Sequence, residues 1–209
     1  MGLWTVLCVC AMTVINGPDL RLETPLQCGS SDQQLFHYDD GTASWLTWSG
    51  QWRGVWFDLD DFSGFGNSMI CDYTQFWFYH HSSYGWDTSL FYAELWTGES
   101  VSPSQLLSQD FVVATHYSAN YAVYDPPIDC GNSLWVFVNT AFSSGGWPAS
   151  LGDGTEQPAE NHSFFSNDFE LWEPWIVDGT NANDFLIRVH GSFLSLEAST
   201  WAGIKTILR

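Results

Sequence analysis

The chain has 209 residues, 24 Asp and Glu against five Lys and Arg, and a formal net charge of −19. So few cations cannot neutralise a phosphate backbone, which argues against nucleic acid, nucleotide cofactors and anionic membrane surfaces as partners. Hydrophobic residues make up 45% of the chain, and the 13 Trp, 15 Phe and 8 Tyr would be costly to leave in water, so a folded domain is expected.

Residues 3–14 (LWTVLCVCAMTV) form an apolar run of signal-peptide length, too short to span a bilayer, with no Lys or Arg before it. Residues 1–17 are therefore expected as a leader, with a buried first strand as the alternative. Residues 18–32 have linker character, rich in turn formers and without periodicity. No other stretch is long enough for a membrane helix.

From residue 33 the pattern is β almost throughout. Strands are expected at 33–38, 52–59, 69–80, 89–97, 110–116, 121–124, 133–140, 162–166 and 184–193. The run 133–140 (SLWVFVNT) has the character of a strand buried on both sides. Pro126 and Pro127 require a strand end or an edge. Residues 103–107 form the single helical-looking stretch, about one turn, and 143–161 read as a long turn-rich loop. Short strands with turn chemistry between them predict one all-β domain over 33–194, an antiparallel jelly-roll-like sandwich of about nine strands.

Of the five cysteines, Cys8 and Cys10 fall in the expected leader. Cys71 and Cys130 each border a strand-like run, which favours a disulfide between them in an exported chain. The alternative leaves Cys28, Cys71 and Cys130 as buried free thiols.

Residues 37–43 read HYDDGTA, followed by WRGVWFDL at 52–59, SLFYAELWTG at 89–98, VYDPPIDCGNSLWVFV at 123–138 and DFLIRVH at 184–190. This order resembles a loosely defined set of bacterial secreted modules that open on a YDDGT-type turn and close on an F-x-I-R strand. The resemblance implies a jelly-roll sandwich in an exported setting, and no catalytic residue. The segment 195–209, with STWAGIKTILR at its end, resembles C-terminal sorting tails of the form TWG-x-IK. It implies surface attachment, with a closing segment docked on the acidic body as the alternative.

Carboxylates and amides cluster at Asp58, Asp60 and Asp61, at Asp178, Asn181, Asn183 and Asp184, and more weakly at Asp153. Closely spaced oxygens on loops are what Ca²⁺ takes, and ordinary turn chemistry is the alternative. Asp39 and Asp40 read as turn residues. His80 and His81, adjacent on a strand, face opposite ways and cannot share an ion without a bulge. Glu94, Glu170 and Glu173 are the carboxyls available for glycoside hydrolysis, and no G-x-S-x-G elbow is present.

The aromatics are the stronger lead. Sugar rings offer apolar C–H faces that stack on indole and phenol rings. Trp45 and Trp48 lie near the first turn, Tyr84 and Trp86 flank Gly85, and Trp147, Trp172 and Trp175 fall in irregular chain. The expected role is a noncatalytic, secreted or cell-surface binding module, taking a neutral glycan or another extracellular protein. A small secreted glycan hydrolase and a structural subunit of an extracellular assembly are the alternatives.

Overall fold

The computed structural model describes residues 13–14, 33–62, 68–154, 161–177 and 183–194. Among them the chain is all-β, with thirteen strands and one short 3-10 turn at Leu59–Asp61. The strands are β1 (Thr13–Val14), β2 (Gln33–Phe36), β3 (Trp45–Thr47), β4 (Trp52–Asp58), β5 (Met69–Trp77), β6 (Leu90–Glu99), β7 (Ser102–Val113), β8 (Ala119–Asp129), β9 (Ser133–Asn139), β10 (Ser150–Gly152), β11 (Ser163–Ser166), β12 (Glu173–Pro174) and β13 (Ile187–Phe193).

All pairings within the sheets are antiparallel. A six-stranded sheet runs β12-β11-β4-β9-β6-β7, a four-stranded sheet runs β2-β13-β5-β8, and a small sheet runs β1-β3-β10. The two larger sheets enclose the main core. Val55, Phe57, Phe91, Leu95, Val136 and Val138 from the first meet Phe36, Cys71, Phe76, Tyr124, Ile187 and Val189 from the second. This is the sandwich the strand pattern predicts.

β9 shows why SLWVFVN is apolar at nearly every position. Leu134, Val136 and Val138 fill the core, and Trp135 and Phe137 point the other way and are also fully buried. An irregular segment covers them: Trp172 stacks on Phe137 at 4.6 Å, and Phe169 closes on both Phe137 and Trp172. The six-stranded sheet therefore has apolar cover on both faces over its centre.

The edges differ from expectation in two places: β7 begins at Ser102 and β8 runs on to Asp129. Residues 103–107 are extended and belong to β7, the outer strand of the six-stranded sheet. Register pairing with β6 from Ser102 to Val113 supplies ladder hydrogen bonds that one local helical turn could not match. Pro126 and Pro127 lie in β8, the outer strand of the four-stranded sheet, where the ladder with β5 shifts register. That position leaves no ladder bond broken by the missing N–H groups.

The small sheet closes one end of the sandwich over a second core of Leu46, Trp77, Ala149, Leu151 and Leu186. Its β10 lies inside the stretch that reads as a turn-rich loop. Thr13 and Val14, which pair with Leu46 and Trp45, fall within the expected leader. The rest of the leader, the linker and the tail lie outside the described residues.

Cys71 and Cys130, the expected disulfide partners, stand as two buried free thiols, Cys71 donating to the Tyr73 carbonyl and Cys130 to that of Ile128. The neighbouring Cys130 thiol, together with burial, pushes the Cys71 thiol well above its usual value.

Candidate functional site

The small sheet gathers four loops at its end of the sandwich. The β5–β6 connection reaches it through the backbone bond from Tyr79 N–H to Ala149, and the β7–β8 connection through that from Tyr117 N–H to Phe78. The β3–β4 turn and the 140–149 loop meet where Gly146 presses against the Trp48 carbonyl. Gly146 has φ +78°, and a Cβ there would fall 2.1 Å from that oxygen, so only glycine fits.

One buried cation fixes this loop. Arg53 on β4 donates to the carbonyls of Gly50 at 3.1 Å, Gly146 at 2.9 Å and Pro148 at 2.6 Å, and to the Ser150 hydroxyl at 3.0 Å. No carboxylate appears among these partners, and burial lowers the guanidinium to about 9. Its hydrogen bonds thus do the work that a counter-charge does elsewhere.

On this base the aromatics assemble. Trp48 stacks on Trp147 at 5.0 Å and meets Tyr84 at 5.2 Å. Tyr84, held by the 81–84 turn, stands out from the surface with 39% exposure. Beside them lies a hollow of about 300 Å³ lined by Trp48, Gln51, Thr140, Ser143, Ser144 and Asn167, together with backbone at glycines 50, 145 and 146. The lining is uncharged. It offers amide and hydroxyl groups next to an indole face, the combination a neutral polyhydroxylated ligand requires.

Of the seven aromatics expected at a binding surface, the structure brings Trp48, Tyr84 and Trp147 together and sets Trp86, in the same connection as Tyr84, half-buried with its inner side against the main core. The other three are elsewhere. Trp175 is a core residue, 2% exposed and stacked on Phe185 at 4.4 Å. Trp45 packs against the main core from β3. Trp172 covers the outer face of β9. Irregular chain does not mean exposed chain where a segment crosses an apolar sheet face.

The acidic clusters are committed to hydrogen bonds. Asp58 caps the 3-10 turn by accepting from Asp60 N–H, and Asp61 takes the Tyr38 hydroxyl at 2.6 Å. Asn183 and Asp184 meet Asp153 in the interior: Asp153 Oδ1 accepts from Asp184 N–H at 2.9 Å, and its Oδ2 from Asp40 N–H at 3.2 Å. Asn183 Nδ2 reaches the Asp153 carbonyl, and Ser163 donates to Asp184 Oδ1. Burial raises Asp153 to about 7 and Asp184 to about 6. Asp39 is more than a turn residue, because it is buried and paired with Arg188. Among the described residues no three His, Cys, Asp or Glu side chains are grouped to hold a metal ion. Several of these oxygens accept an N–H or O–H: Asp58 Oδ1, Asp61 Oδ2, both of Asp153 and Asp184 Oδ1. Asp178 and Asn181 lie outside the described residues.

Glu94 is buried, accepting from Gln109 Nε2 at 2.8 Å, Asn139 Nδ2 at 2.6 Å and Trp96 Nε1 at 3.0 Å. Glu170 and Glu173 are exposed on the covering segment. Nothing in these surroundings points to catalysis. No helix among the described residues is long and apolar enough to cross a membrane. No protein-family model, no curated protein and no solved structure matches the chain.

Proposed function

We propose that the protein is a noncatalytic binding module, acting outside the cell, that takes neutral glycans at the small-sheet end of its sandwich. The observation that carries this reading is the Trp48–Trp147–Tyr84 group standing beside an uncharged polar hollow. The rings supply stacking surface, and Gln51, Thr140, Ser143, Ser144 and Asn167 supply hydrogen bonds without a fixed charge. The net charge of −19 disfavours anionic sugars. The export setting rests on the apolar N-terminal run and the module resemblance.

A glycan array tests it. Binding to one neutral sugar class, lost in Trp48→Ala and Trp147→Ala with the fold intact by circular dichroism, is the expected result. Absence of binding across the array, or binding indifferent to both substitutions, overturns it.

A second reading has its own observation. β7 is a twelve-residue outer strand whose single charge is Asp110, with Leu106, Phe111 and Val113 exposed. Long apolar edges are templates for strand addition, which favours a subunit of an assembly. Light scattering across a concentration series separates the two: a monomer at high concentration removes the assembly reading.

A further inference from the structure

Next to the glycan hollow lies a second depression, of about 690 Å³, lined by His80, Trp86, Asp87, Thr88, Ser89, Leu90 and His116. Its chemistry differs from the first. Trp86 lies edge-on to His80, with ring centroids 5.2 Å apart. His116 Nδ1 accepts the His80 backbone N–H at 3.0 Å, so the neutral ring carries its proton on Nε2 as a donor. Asp87 is an exposed acceptor.

Two connections join the depressions. Asp87 Oδ2, in the second, accepts from the backbone N–H and the hydroxyl of Ser144, in the first, at 3.2 and 3.3 Å. A run of ring contacts also links them: Trp147 to Trp48, Trp48 to Tyr84, Tyr84 to His81 at 5.4 Å, His81 to Tyr79 at 6.1 Å, and Tyr79 to His116 at 4.9 Å. Tyr117, at the far end of this run, holds the left-handed backbone conformation, with φ +50°.

We propose that the two depressions are subsites of one surface, and that the ligand is a neutral oligosaccharide spanning both rather than a single sugar. The proposal rests on the glycan reading above and extends it. A monosaccharide would fill the hollow at Trp48 alone. A longer chain would run along the rings and place a further unit on Trp86, with hydroxyls donating to Asp87 and accepting from His116 Nε2. Both contacts belong to one molecule, so the second adds to the first without a new association step.

The test is calorimetric titration of the full chain with cello-, xylo-, manno- and chito-oligosaccharides of one to six units. In the series that binds, affinity is expected to rise at least about tenfold from the disaccharide to the hexasaccharide. Trp86→Ala and, separately, Asp87→Ala are expected to bring that ratio close to one. Asp87 is exposed, so its variant keeps the test available if Trp86→Ala fails to fold. Equal affinity for short and long chains in the wild type overturns the spanning proposal and leaves the glycan reading standing. So does a ratio that neither substitution changes. Absence of binding in every series overturns both.

Discussion

Arg188 on β13 donates from Nε to Asp39 Oδ2 at 3.0 Å and from Nη2 to Asp39 Oδ1 at 2.5 Å, across 149 residues of sequence. The guanidinium meets the carboxylate as a two-pronged fork, in a buried setting. Asp39 also accepts Gly41 N–H at 3.0 Å, so one carboxylate shapes the turn after β2 and ties it to β13. Removing either partner strands a buried charge, and each single alanine variant is expected to lose about 3–5 kcal/mol. The double variant should lose less than the sum of the singles. Denaturant unfolding of the four proteins measures this; additive losses would show that the pair does not act as a unit.

Asp153 and Asp184 make stability depend on pH. Both are raised above the usual 3.8, to about 7 and about 6, chiefly by burial, with Asp184 also feeling the Asp39 charge. The folded state thus holds protons that the unfolded chain releases. The stabilisation is complete below about pH 4 and is lost as pH rises through 6 and 7. The melting temperature is expected to fall between pH 5 and pH 8. Asp184→Asn keeps an oxygen for the Ser163 hydroxyl and removes the charge, so it should flatten the profile and recover on the order of 2 kcal/mol at pH 8. His116 works in the opposite sense, since burial and His80 hold it below its usual 6.5 and acid must charge it against that preference. A melting temperature that rises from pH 5 to pH 8 would contradict the assignment.

Arg53 holds the 140–149 loop through the carbonyls of Gly146 and Pro148. Arg53→Met leaves the carbonyls of Gly50, Gly146 and Pro148 short of a donor and is expected to cost about 2–4 kcal/mol. Hydrogen exchange should quicken most in residues 143–148. An even increase across the sandwich would mean that Arg53 supports the whole fold and not this loop.

Cys71 and Cys130 are expected to resist alkylation in the native state, because both are fully buried and the Cys71 thiol is raised. Peptide mapping after labelling with and without denaturant checks this at each cysteine separately. Rapid native labelling of Cys71 would show that the β5–β8 ladder opens locally.

Local chemistry carried much of the reading. Period-two alternation and turn residues mark most strands within a few residues, and the apolar run of β9 announces a strand buried on both faces. The helical look of 103–107 fails because a short helix gains little alone and a sheet edge offers a full ladder. β3 and β10, three residues each, leave too short a pattern to see.

The site divides along the same line. All seven stand out as loop aromatics from sequence, yet Trp48, Tyr84 and Trp147 gather at one end of the sandwich, Trp45 and Trp86 pack partly on the main core, Trp172 covers β9 and Trp175 is buried. The difference is set by which sheet face each segment crosses, and residue type does not encode that. Ser143, Ser144, Thr140, Gln51 and Asn167 carry no signal beyond their polarity, since only packing sets them around one hollow. Asp39 reads as a turn residue because its partner is far away in the chain. Composition determined the acidic, cation-poor character and short-range periodicity the all-β class, because the first is a sum over residues and the second is set by near neighbours in the chain. The tertiary structure decided which aromatics remain exposed, which carboxylates are buried together and where Arg53 and Arg188 are spent, because each of these depends on contacts between segments far apart in sequence.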